Sequence, residues 1–76
     1  PEQIAIDDEL MEVVEQGIAS MSEKLRSVLL LHDREDMAYE EIAQTLSLPV
    51  GTVKSRLFLA RAHLQDVVSR YLEAGA

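Results

Sequence analysis

The chain has no cysteine and no tryptophan, and only three aromatic residues, Tyr39, Phe58 and Tyr71. Without cysteine there is no disulfide scaffold, no thiolate zinc site and no cysteine nucleophile. With so few aromatics, aliphatic side chains must supply most of the burial. No apolar run approaches membrane-spanning length, and no signal-peptide pattern opens the chain. A reducing cytoplasm is compatible with these absences. There is no strand signal, no internal repeat and no low-complexity segment. The chain opens on Pro1 without an initiator methionine, as a piece of a longer protein would.

What is present is a chain of 76 residues, 47% apolar, enough for one small domain with a thin core. The net charge of −7 is unevenly placed. Residues 1–46 carry twelve acids and three bases, a net of −9, whereas residues 47–76 carry two acids and four bases, a net of +2. Such asymmetry hints at an anionic partner for the C-terminal part, against the plainer reading of an ordinary solvated helix.

Apolar spacing gives an all-α domain of four helices. Leu10, Val13, Val14, Ile18 and Met21 form one stripe of a helix over 7–19, with Asp7 or Asp8 as N-cap. Gly17 and Ser20 weaken its end. Ser20 and Glu23 fit a capping box, which starts a second helix over 21–32. Leu29, Leu30 and Leu31 cannot all face one thin core, so part of that surface should stay open. A third helix spans 39–46 after the charged break Asp33-Arg34-Glu35-Asp36. Ser47-Leu48-Pro49 is a tight turn, and a fourth helix spans 50–71.

A short helix, a three-residue turn and a longer helix form a helix-turn-helix. Ala43 is the small residue at the crossing, with Ile42, Leu46, Leu48 and Val53 spaced to pin it. Ser47 stands where a left-handed backbone would prefer glycine, at a cost of roughly 1 kcal/mol. On the fourth helix Val53, Leu57, Ala60 and Leu64 keep to one side. Gly51, Ser55, Phe58, Leu59 and Ala62 fall opposite them, with Lys54 and Arg61 on one shoulder and Arg56 on the other. The segment "PVGTVKSRLFLAR" holds no carboxylate. Cationic shoulders would neutralise phosphates, small residues would permit close approach, and Phe58 would meet thymine methyls in a major groove. The helix start, Gly51-Thr52, would offer N–H groups and a hydroxyl to a phosphate. Three cations imply a log–log salt slope near about −3. The competing structural reading pairs Arg56 with Glu40 or Glu41 and packs Phe58 and Leu59 on another helix or a second protein.

The stretch "MSEKLRSVLLLHDREDMAYEEIAQTLSLPVGTVKSRLFLARAHL", and within it "YEEIAQTL" followed by "PVGTVKSRL...AR", resembles region four of the extracytoplasmic-function class of bacterial sigma factors. The resemblance implies a cytoplasmic domain that reads the −35 element of promoter DNA in the major groove and needs no cofactor. It also implies docking on the RNA polymerase β-subunit flap and sequestration by an anti-sigma factor. Thr52, Lys54, Ser55, Arg56, Phe58 and Arg61 would be its DNA-binding residues, and Leu29, Leu30, Leu31 and Leu59 its protein interface. Residues 1–6 would be the end of an inter-domain linker and 7–76 the region-four domain. Three positions depart from the family pattern: Ser22 replaces a usual proline, Ser47 a usual turn glycine, and Leu59 a common basic residue. Two alternatives stay open, a response-regulator output domain and a region-four-like module that binds mainly an anti-sigma protein. An enzyme fits poorly. His32 and His63 are 31 positions apart with no carboxylate arranged to orient either, and the Asp33–Glu41 stretch puts Met37 where a calcium loop needs an oxygen ligand. No P-loop, triad or metal spacing appears, and no small-molecule or membrane partner is implied.

Overall fold

A computed structural model of the protein describes residues 7–75, in four helices: α1 (Asp8–Ser20), α2 (Glu23–Asp33), α3 (Tyr39–Leu46) and α4 (Val50–Gly75). The expected linker at 1–6 lies outside the described residues. The all-α class and the helix-turn-helix are as the spacing predicts, and α4 extends a turn beyond 71.

Helix starts follow from capping chemistry, with one correction. Asp7 caps α1, its carboxylate accepting from the Leu10 N–H at 2.8 Å, while Asp8 and Glu9 sit in the first turn where the helix dipole favours acids. The expected capping box at Ser20 does not form. Ser22 caps α2 instead, accepting from the Leu25 N–H, and the helix starts two residues later than the spacing suggests. Ser20 is still the last residue of α1, and its hydroxyl donates to the Gly17 carbonyl at 2.9 Å. Met21, between the two helices, is extended and buried. Arg26 reaches back across this corner and donates to the carbonyls of Ala19 and Met21, a cation where α1 has none in its own last turn.

The core is aliphatic: Val28, Leu29, Ile42, Val53 and Leu57 are its largest sealed side chains, joined by Ile18, Met21, Ala43 and Ala60. Long α4 packs on all three other helices. Along α1 it runs antiparallel, because Glu9 meets Tyr71, Gly17 meets Leu64 and Val67, and Ser20 meets His63. At Gly17 a Cβ would come within 3.0 Å of Leu64 Cδ2 and 3.3 Å of Val67 Cγ1, so glycine permits this close approach. At the far end the Tyr71 hydroxyl donates to Glu9 at 2.5 Å, and that carboxylate pushes the phenol up to about 12.

Candidate nucleic-acid interface

Ala43 is buried beneath α4, as the crossing requires, with Ile42 and Val53 fully sealed beside it and Leu46 and Leu48 half-buried at its edge. Ser47 adopts the left-handed conformation, φ 57° and ψ 50°, and donates its N–H back to α3 while Leu48 donates to the Ala43 carbonyl at 2.9 Å. The turn therefore keeps the hydrogen bonding of a glycine corner despite a side chain. At its other end Glu41 accepts from the Ala38 N–H at 2.9 Å, closing the start of α3, where Ala38 has no side-chain acceptor.

Pro49 opens α4 from just outside it. Its carbonyl accepts from Thr52 N–H at 3.0 Å and Val53 N–H at 3.2 Å. Thr52 thus has its N–H engaged and offers only a half-buried hydroxyl, which narrows the expected helix-start site. The N–H groups of Val50 and Gly51 have no intramolecular acceptor among the described residues, and they are the ones open to an anion.

The outer side of α4 is as the rotation predicts. Gly51, Lys54, Ser55, Phe58, Leu59 and Ala62 are all exposed, and no acid appears on α4 before Asp66. Phe58 is 73% and Leu59 54% exposed, the large apolar side chains of this face, and neither belongs to the hydrophobic core or the half-buried shell around it.

The three cations are held differently. Lys54 Nζ lies 5.9 Å from the centre of the Tyr39 ring, at the outer limit of a cation–π contact, so its charge stays available. Tyr39 in turn stacks at a tilt on His32, whose Nδ1 is 3.0 Å from the Met37 carbonyl. Arg56 is half-buried in a cleft of about 220 Å³ shared with Glu23, Lys24, Ser27, Leu46 and Leu48. Among the described residues it makes no ion pair, so the alternative pairing with Glu40 or Glu41 does not occur. Arg61, expected to face DNA, is instead bonded to Asp33 at the end of α2, Nη2 to Oδ1 at 3.1 Å.

The leucine run divides. Leu29 is 1% exposed and belongs to the core, so it cannot serve as an interface residue. Val28 and Leu29 face inward together, and Leu30 and Leu31, turned by about 100° and 200° from Leu29, are left half-buried at the edge. These two line a groove of about 490 Å³ with Ser27, Glu35, Met37, Thr45 and Leu46, between α2 and α3 and with no α4 residue in its lining. Met37 and Leu46 were not among the expected interface residues. Their half-burial beside a charged loop is visible only once α2 and α3 are packed. Among the described residues there is no cluster of three or more acidic or histidine side chains that would hold a metal, and no helix long and apolar enough to cross a membrane.

Comparison with known proteins bears on this geometry. The family model described as "Sigma-70, region 4" matches residues 11–64, a span that contains every candidate side chain on α2 and α4. Among curated proteins, the ECF RNA polymerase sigma-E factor of Escherichia coli (strain K12) is 40% identical over 68 residues, covering 90% of this chain and 36% of that protein. The RNA polymerase sigma-H factor of Pseudomonas aeruginosa is 44% identical over 72 residues, 95% of this chain and 37% of that protein. The chain therefore spans little more than a third of the length of the curated relatives it matches.

Proposed function

Because the chain belongs to the Sigma-70 region 4 family, we propose that it is the −35-reading domain of a sigma factor, which directs RNA polymerase to promoters. The observation that carries this is the outer face of α4: exposed, free of carboxylate, apolar at Phe58 and Leu59, and flanked by Lys54 and Arg56. A solvated helix gains nothing from such a face, whereas a helix seated in the major groove needs it. Lys54 and Arg56 neutralise phosphates on either side, Val50 and Gly51 N–H groups meet the backbone, and Ser55 and Phe58 face base edges. The Leu30–Leu31 groove, which no α4 residue lines, receives the flap of the polymerase β subunit and so leaves α4 free for DNA. The work is cytoplasmic, where polymerase and promoter meet.

A second reading rests on the same exposures. Phe58 and Leu59 make an apolar pair suited to burial in a protein partner, so an anti-sigma factor would cover this face and exclude DNA from it. Selection from a randomised duplex library tests the first reading. Wild-type chain should enrich one short motif, and Ser55→Ala or Phe58→Ala should relax it at particular positions while Lys54→Ala weakens all sequences alike. Failure to enrich any motif rejects base readout and leaves the protein-binding reading.

A further inference from the structure

The corner between α2 and α3 carries four consecutive charges, Asp33, Arg34, Glu35 and Asp36. Its one cation is turned away, since Arg34 is paired with Glu15 on α1. The corner is therefore left with three carboxylates, at the end of a helix whose exposed carbonyls add partial negative charge. One of these carboxylates, Asp33, takes Arg61 from the flank of α4. Arg61 lies seven residues, or about two helical turns, beyond Lys54 on the same shoulder, which is the side that would face a phosphate strand. Lys54 meets an aromatic ring that leaves its charge intact, whereas Arg61 meets a charge that cancels its own.

We propose that Asp33 is a negative regulator of DNA engagement: it occupies Arg61 and competes with phosphate for it, so the domain presents two working cations on α4 rather than three. The inference rests on the DNA-binding reading above and adds a residue to it. Both side chains of the pair are about half exposed, so removing Asp33 frees Arg61 without opening the core. Asp33 thus limits the affinity of the domain for any duplex and leaves sequence preference untouched, because the contact it withholds is to the backbone. It also makes the salt dependence shallower than the number of basic residues suggests, near about −2 on a log–log plot.

The test is a double-mutant cycle on this chain with a short mixed-sequence duplex, titrated at several salt concentrations. The variants are Asp33→Asn, Arg61→Gln and the double substitution, with Asp36→Asn as a control for the loss of one nearby negative charge. Asp33→Asn should tighten binding by about two- to five-fold and steepen the slope by about 0.9. Arg61→Gln should leave the wild-type slope unchanged, and in its presence Asp33→Asn should do no more than Asp36→Asn does. Asp33→Glu, which keeps a carboxylate within reach, should behave as wild type. An Arg61→Gln slope shallower by about 0.9 overturns the proposal, because Arg61 would already be on phosphate. So does an equal effect of Asp33→Asn with and without Arg61. Circular dichroism of each variant checks folding, and if Asp33→Asn unfolds the domain the Arg61→Gln slope decides alone. Lys54→Ala separates the two levels of argument. If it weakens binding while the cycle shows no coupling, only the role of Asp33 falls. If the wild type binds no duplex at low salt, the DNA reading falls and takes this proposal with it.

Discussion

Val53, Leu57 and Ala60 on one side of α4 are sealed from solvent, while Lys54, Ser55, Phe58, Leu59 and Ala62 on the other are open along the same three turns. Both sides are rich in apolar atoms, so hydropathy alone does not tell them apart. What separates them is what they touch. The inner side meets α1, α2 and α3 and is held by packing, so a change there should act on stability. Phe58 and Leu59 are mostly open to solvent, so a change there should act on binding and leave the fold nearly alone. The contrast can be broken from either side.

The largest effect should come from the sealed side. Leu57→Ala removes most of a side chain that is nearly inaccessible and leaves a cavity against Ile42 and Val53, at a cost of about 2–5 kcal/mol. In a domain this small that is a large fraction of the whole stability. Chemical denaturation should show a lower midpoint, with any loss of DNA binding tracking the unfolded fraction. Ala43→Leu works on the same packing from the α3 side. Three extra carbons at the helix crossing should cost about 1–3 kcal/mol by overpacking. A denaturation midpoint equal to the wild type would mean that α3 and α4 are not pinned at Ala43.

Gly17→Ala should have a smaller effect, set by two opposing contributions. Alanine gains up to about 1 kcal/mol of helix propensity over glycine inside α1. Against that, its Cβ would sit 3.0 Å from Leu64 Cδ2 and 3.3 Å from Val67 Cγ1. The Leu64 methyl is the end of a flexible side chain and can yield, whereas β-branched Val67 is stiff. The two should nearly cancel, for a net change within about 1 kcal/mol. Gly17→Val should show a larger clash with a smaller propensity gain, and a melting temperature lower than that of Gly17→Ala by more than the propensity difference shows how tightly α1 lies on α4.

These cases also mark where the sequence could be read and where it could not. Helix α3, the left-handed Ser47 and the two sides of α4 are local properties, carried by spacing and turn chemistry within a few residues. The misplaced cap shows the limit of that reasoning. Ser20 and Ser22 are both suitable caps by residue type, and the choice is made by buried Met21 and by Arg26 bonding the carbonyls at the end of α1. The run Leu29-Leu30-Leu31 is equally apolar throughout, and only the packed helices show that Leu29 is sealed while Leu30 and Leu31 stay at the edge. Gly17 against Leu64, and Asp33 against Arg61, join residues 47 and 28 positions apart. No periodicity encodes such a pair, because it depends on how finished helices lie against one another.

Leu59→Arg should have the least effect on the fold and gives the cleanest view of the outer side. Residue 59 is 54% exposed beside Phe58, so the substitution exchanges an open apolar side chain for a solvated one and stability should stay within about 0.5 kcal/mol. The new guanidinium has no native partner to give up. In this it differs from Arg61, which Asp33 occupies. If it reaches a phosphate, the salt slope should steepen by about 0.9 and every duplex should bind more tightly. If it reaches a guanine edge instead, one base position should gain about 1–3 kcal/mol of discrimination with little change elsewhere. Titration of wild type and variant against the enriched motif and its single-base changes distinguishes these outcomes. A variant that matches the wild type in affinity, slope and preference would place residue 59 away from DNA. Phe58 and Leu59 would then be the anchors of a protein contact, and a positive charge at 59 should weaken that contact because it would have to be desolvated.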